Sequence, residues 1–159
     1  MIKAGDRLPS VTIQQATPEG ETNVDPSVLF AGKKVVMFSL PGAFTRTCSS
    51  KHLPGYLAKL PELKASGVDL VVCLSVNDAP TMKAWAEQHD ALGKIVMLAD
   101  GAAHFSKALG IDYFDDEMGI RARRGVFVCE NGVLTSVAME APGTFEVSSA
   151  EACLVGMNK

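Results

Sequence analysis

A chain of 159 residues can bury one hydrophobic core and has little room for a second. Its net charge of −3 is spread without runs, so the basic stripe that nucleic-acid binding needs is missing, and no apolar run approaches the roughly 20 residues that span a bilayer. Residues 1–7 lack the apolar stretch of a secretory signal, and a cytoplasmic protein is expected, or an organelle-matrix one if a transit peptide has been removed.

The first pronounced element is the apolar, β-branched-rich run 35–40, read as a strand buried on both faces. A Pro41-Gly42 turn follows, and Thr45 or Thr47 is placed to cap a helix whose first turn contains Cys48. Over 53–63, Leu53, Tyr56, Leu57, Leu60 and Leu63 keep helical spacing, while Pro54 and Gly55 predict a kink or a helix in two parts. Residues 70–76 form a second buried strand and 95–98 a shorter third. Between them 79–89 reads as a helix with Pro80 near its start and Trp85 buried. A further helix over 102–109 ends at Gly110. Residues 125–129 and 133–137, joined through Asn131-Gly132, form a β-hairpin, and a short helix begins near Ser149. Strands alternating with helices and then an antiparallel hairpin give an α/β three-layer sandwich with a mixed sheet, in one domain spanning 1–159.

The four cysteines (48, 73, 129 and 153) make neither a disulfide framework nor a C-x-x-C, and the histidines (52, 89 and 104) form no ligand cluster; no metal or cofactor is expected. Each histidine reads as a surface or packing residue. Cys129, in an apolar strand, and Cys153, in the terminal helix, read as packing residues too. Cys48 differs, since free N–H groups and the positive end of the helix dipole favour its thiolate, with Arg46 and Lys51 adding positive charge nearby. A thiolate of that kind is a nucleophile in search of an electrophile.

Pro41-x-x-x-Thr45-x-x-Cys48 resembles the P-x-x-x-[TS]-x-x-C motif of the peroxiredoxins, and residues 41–56, PGAFTRTCSSKHLPGY, resemble the branch of plant type II and atypical two-cysteine enzymes. The likeness continues through 75–78, 82–85, 98–101, 121–124 and 148–151, almost the whole chain in order. It implies a thioredoxin-like fold and a peroxidase acting on hydrogen peroxide and alkyl hydroperoxides, with Cys48 attacking one peroxide oxygen and cycling through a sulfenic acid. It further implies that the backbone of Thr47 and Cys48 and the Thr45 hydroxyl face the peroxide, that Pro41 shields the sulfur, and that Arg124, in preference to Arg121 or Arg123, holds the sulfur and the substrate. A homodimer is implied, with glutathione, glutaredoxin or thioredoxin as reductant.

The resemblance supports Cys73 as the resolving residue; Cys153 does not match the C-terminal position used by vertebrate-like members. Cys73 lies mid-strand, roughly 10 Å or more below the sheet edge at strand rise. A disulfide needs Cα atoms within about 7 Å, so the helix carrying Cys48 would have to unwind. Arg46 stands where proline is usual, Gly125 where an aromatic residue is usual, which predicts looser packing around Arg124, and Cys129 replaces an aliphatic residue. Three other readings remain: a thiol–disulfide oxidoreductase, a redox sensor that uses the same thiolate, and a cysteine hydrolase. The last would use His52, whose replacement should otherwise leave peroxide turnover nearly intact.

Overall fold

The computed structural model describes residues 1–157. A seven-stranded mixed sheet forms its middle layer, in the order β2-β1-β5-β4-β3-β8-β9. The strands are β1 (Ile13–Thr17), β2 (Gly20–Val24), β3 (Lys34–Leu40), β4 (Leu70–Ser75), β5 (Val96–Ala99), β8 (Gly125–Glu130) and β9 (Val133–Met139). β6 (Asp112–Asp115) and β7 (Gly119–Ala122) make a separate hairpin. β3, β4 and β5 run parallel at the centre, while β1 and β8 flank them antiparallel.

Alternation along the strands sends side chains to two cores. Val36, Phe38 and Leu40 of β3, with Val71 and Cys73 of β4, meet Leu53, Tyr56, Leu63, Met82, Trp85 and Cys153 on one face. Those partners come from α2 (Leu53–Ala58), α3 (Leu60–Ala65), α4 (Ala79–Gln88) and α6 (Ala150–Met157). Val35, Met37, Val72 and Leu74 point the other way, toward Phe30, Phe105 and Leu109 beside α1 (Pro26–Leu29) and α5 (His104–Leu109). The result is the expected three-layer α/β sandwich.

Several local expectations hold. Asn131 (φ 51°) and Gly132 (φ 77°) supply the positive φ angles of the β8–β9 turn, and Gly110 ends α5 in the left-handed region. The helix after Cys48 is indeed divided, but in a different place. Its break falls at Lys59 (φ −97°, ψ 6°), just before Pro61, not at Pro54. Pro54 sits instead in the first turn of α2, directly after a widened π-turn over Cys48–His52 closed by the Leu53 N–H donating to the Cys48 carbonyl. Proline has no N–H to continue the i→i−4 ladder, so the turn ahead of it can open.

Three expectations need correcting. The β1–β2 and β6–β7 hairpins were not foreseen, because GETNV and DYFD carry too little apolar alternation to announce a strand. Neither Thr45 nor Thr47 caps the helix through its side chain: Thr47 makes no capping bond, and the Thr45 hydroxyl donates to the Gly42 carbonyl at 2.7 Å. Nor is the packing at Gly125 loose. A Cβ placed there would lie 2.4 Å from Met139 Sδ and 3.0 Å from the Ala138 carbonyl oxygen, so Met139 fills the space an aromatic side chain would take.

Candidate active site

The site forms where β3 ends. In the antiparallel register Ser39 lies opposite Gly125, which brings Arg124 level with the end of β3, where the loop to Cys48 begins. The Ser39 hydroxyl, fully buried, donates to the Arg123 carbonyl at 2.7 Å and fixes that meeting. Loop 41–45 is held from two sides. The Ala43 N–H donates to Asn77 Oδ1 (2.9 Å), and Arg121 Nη1 donates to the Val76 carbonyl (2.9 Å) and more weakly to that of Pro41 (3.4 Å). Gly42 fits closely here: a Cβ would come within 3.1 Å of Arg121 Nη1 and 3.3 Å of Thr45 Cγ2, so a larger residue would press on the Arg121 guanidinium.

The three candidate arginines therefore separate. Arg121 is occupied with backbone carbonyls and Arg123 lines the cavity mouth, while Arg124 donates from Nη2 to Cys48 Sγ at 3.0 Å. Its other terminal nitrogen, Nη1, donates to His52 Nδ1 at 2.8 Å. One planar fork thus holds the sulfur and an imidazole together, which a lysine ammonium could not do with the same rigidity. Arg46 and Lys51 are exposed.

His52 is the residue that sequence reasoning undervalued. It is fully buried, with the rings of Phe38, Tyr56 and Phe145 centred 4.9, 5.6 and 5.0 Å away. Its Nε2 faces the Ser148 carbonyl at 3.0 Å, an oxygen that can only accept. Arg124 can only donate, so the partners assign the proton to Nε2 and leave Nδ1 as acceptor. Burial first, and the Arg124 charge second, hold the imidazole neutral, with its pKa pulled down to about 3. The ring addresses Arg124 rather than the sulfur, which removes the hydrolase arrangement and revises the expectation that His52 is dispensable. Its place one helical turn beyond Cys48 was the only signal available.

A cavity of about 560 Å³ opens beside the site, and its lining includes Pro41, Thr47, Arg123 and Arg124 together with Tyr113, Pro142 and Phe145. Cys48 itself is fully buried, and Arg124 touches both the sulfur and the cavity. All four cysteines are free thiols. Cys73 is completely buried in β4, and burial, with the nearby Cys48 adding to it, pushes its thiol well up; burial alone takes Cys129 up to about 11. Cys153 also reaches about 11, where burial outweighs an opposing hydrogen bond with Tyr56. Among the described residues no group of three or more His, Cys, Asp or Glu side chains could hold a metal ion, and no helix is long and apolar enough to cross a membrane.

Residues 3–154 match the Redoxin family model. Peroxiredoxin-2E-2, chloroplastic, of Oryza sativa subsp. japonica is 44% identical, covering 96% of this chain and 71% of that protein. Peroxiredoxin-2C of Arabidopsis thaliana is 40% identical over 94% of both. Among solved structures, reduced Prx3 of Vibrio vulnificus in complex with hydrogen peroxide superposes with a TM-score of 0.95 at 49% identity, over 99% of each chain.

Proposed function

This chain belongs to the peroxiredoxins and is a thiol-dependent peroxidase with a thioredoxin-like fold; from that premise we propose that Cys48 is its peroxidatic residue and Arg124 the group that activates it. The observation that carries the assignment is the 3.0 Å contact between the Arg124 guanidinium and Cys48 Sγ, the one hydrogen bond from a cation to a cysteine sulfur among the described residues.

The Cys48 thiolate attacks one oxygen of the peroxide in line. The O–O bond breaks, an S–O bond forms, and the second oxygen leaves with the bonding pair as hydroxide or alkoxide. Arg124 steadies the sulfur before attack and the charge on the leaving oxygen during it, from a position fixed beforehand by His52. Thr47 lines the approach, Thr45 shapes the loop ahead of Cys48 through its bond to the Gly42 carbonyl, and Pro41 keeps bulk water from the sulfur. Tyr113, Pro142 and Phe145 give the cavity an apolar wall that suits alkyl hydroperoxides alongside hydrogen peroxide.

The sulfenic acid is returned to thiolate by an external thiol, glutathione with glutaredoxin or thioredoxin. The first thiol displaces water from the sulfenic acid to give a mixed disulfide, and a second thiol releases Cys48. Cys73 is the one internal alternative. Its raised, fully buried thiol argues for the external route, since a protonated thiol is a poor nucleophile and the π-turn would have to unwind to reach it. Phe44 (51% exposed) and Phe114 (71% exposed), with Met118 and Ile120, supply exposed apolar surface near the Pro41-Gly42 turn, consistent with a homodimer formed through these loops. A cytoplasmic or organelle-matrix location fits the reduced state of all four cysteines that this chemistry needs.

The deciding experiment follows peroxide consumption with glutathione and glutaredoxin, and separately with thioredoxin, in wild type, Cys48→Ser and Cys73→Ser. Loss in Cys48→Ser alone supports the proposal with external recycling. Loss of turnover in Cys73→Ser, with a single round of oxidation preserved, would instead establish the two-cysteine route. Full activity in Cys48→Ser overturns the assignment.

A further inference from the structure

Glu140 follows β9 directly, and its side chain is only 5% exposed. Among the described residues it pairs with no basic side chain. Hydrogen-bond donors from a single loop surround it instead. Oε1 accepts from the Thr144 hydroxyl and the Glu146 N–H, both at 2.9 Å. Oε2 accepts from the N–H groups of Glu146 (2.9 Å), Val147 (2.9 Å) and Ser148 (2.8 Å) and from the Ser148 hydroxyl (2.6 Å). Burial alone would raise this carboxyl, but the Ser148 hydroxyl, the Glu146 and Ser148 N–H groups and the Thr144 hydroxyl outweigh it and bring the pKa down to about 2.

Loop 141–148 is consequently folded around one carboxylate, with two consequences at the site. Ser148, held at its N–H and hydroxyl by Glu140, turns its carbonyl toward His52 Nε2 (3.0 Å) and the Tyr56 hydroxyl (2.8 Å). Phe145, carried by the same loop, lies edge-on to the His52 ring at 5.0 Å, with the Arg124 guanidinium 5.9 Å from its ring centre. A second tie runs through the backbone, where the Glu140 N–H donates to the Arg124 carbonyl at 2.9 Å. The contacts form an unbroken series from Glu140 to Ser148, His52, Arg124 and Cys48. Each link has one possible polarity, because the carbonyl cannot donate and the guanidinium cannot accept.

We propose that Glu140 is a positioning residue for the peroxidase reaction: its carboxylate shapes loop 141–148 so that the Ser148 carbonyl selects the Nε2–H tautomer of His52, which in turn aims Arg124 at the Cys48 sulfur. The inference rests on the assignment of Cys48 and Arg124 above. Glu140 acts entirely through other residues, and its own lone pairs are consumed by the loop.

Glu140→Gln keeps the size of the side chain but sets an NH₂ group against backbone N–H donors. Three measurements on the purified full chain read the result: the rate constant for one round of Cys48 oxidation by hydrogen peroxide, the His52 tautomer from its imidazole ¹⁵N resonances, and the same substitution made in an Arg124→Lys background. The expected outcome is a fall in rate of about 10- to 100-fold, the range found when a group supporting a functional ligand is removed. The Nε2–H resonance should be lost or averaged with Nδ1–H, and the penalty should shrink to about 2-fold or less once Arg124 is lysine, since the relay then has nothing to aim. A purely structural carboxylate would cost the same in both backgrounds and leave the tautomer in place; that pattern, or a rate within 2-fold of wild type, overturns the proposal. Should Glu140→Gln not fold, Ser148→Ala deletes only the hydroxyl bond, and the same non-additivity with Arg124→Lys is required of it. The tautomer readout needs no reaction at Cys48. An enzyme that keeps the His52 tautomer linked to Glu140 yet consumes peroxide without Cys48 would therefore refute the assignment of the site and not the relay.

Discussion

Replacing Arg124 should slow peroxide reduction more than any substitution outside Cys48 itself. Arg124→Gln removes a charge-assisted contact to Sγ at 3.0 Å and the donor to His52 Nδ1 at 2.8 Å, and leaves a buried neutral imidazole without its partner. A hydrogen bond to a charged group is worth about 1.5–3 kcal/mol, which is about 10- to 150-fold in rate if it is realised at the transition state. Because the same guanidinium also meets the leaving oxygen, the upper part of that range, about 100-fold, is expected. Arg124→Lys keeps the charge but cannot hold sulfur and imidazole at once, so it should fall between wild type and Arg124→Gln. Trp85 supplies the assay. It is the only tryptophan, and its indole N–H donates to the Ser49 hydroxyl at 3.0 Å, one residue from Cys48, so oxidation can be followed by stopped-flow fluorescence. A rate for Arg124→Gln within about 3-fold of wild type would refute this reasoning, as would Arg124→Lys being the slower of the two.

Other expectations follow from the same contacts. His52→Ala deletes the acceptor that fixes Arg124 and should lower the oxidation rate by about 10-fold or more with the helical circular dichroism preserved; an unchanged rate would return His52 to the status of a packing residue. Acid should destabilise the protein in two stages, read by urea unfolding across pH. Between pH 6.5 and about 3 the unfolded chain binds a proton on His52 that the folded chain refuses, so stability declines as pH falls. From about 4.5 down to about 2 the Glu140 carboxylate, worth about 3 kcal/mol when ionised, loses its contribution together with the lowered carboxylates of Asp25 and Asp78, and Glu140→Gln should make that lower stage shallower. Gly125→Ala meets Met139 Sδ and the Ala138 carbonyl and should cost about 1–3 kcal/mol, lowering the melting temperature by roughly 2–10 °C; Met139→Ala in the same chain should recover part of the loss.

What could be read in the sequence and what could not divides along physical lines. The runs 35–40 and 70–76 declare β3 and β4 because both faces of a central parallel strand are apolar. Asn131-Gly132 declares the β8–β9 hairpin because few other pairs tolerate positive φ twice in succession. β2 and β6 lie at an edge or in a two-stranded ribbon, where main-chain pairing suffices and side chains stay largely exposed, so no pattern marks them. At the site, Cys48 stood out through its local setting, and Arg124 was singled out by resemblance, its neighbours Arg121 and Arg123 being equally basic. Sequence could not show that Arg121 is spent on the carbonyls of Val76 and Pro41, since those contacts join segments 45 and 80 residues apart. The contacts of Glu140 and Ser148 with the site were hidden for the same reason. A carboxylate between a strand end and an Ala-Pro-Gly turn reads as a solvated surface group until the loop after it is seen folded back onto its oxygens.

Where the first peroxide oxygen lands decides whether Cys48 is the peroxidatic residue. Reduced protein mixed with one equivalent of hydrogen peroxide, quenched within its first turnover in the presence of a sulfenic-acid trap and mapped by peptide mass spectrometry, should carry the adduct on Cys48, with Cys73, Cys129 and Cys153 still thiols. An adduct that appears first on one of those three, or peroxide consumed with none on Cys48, would contradict it.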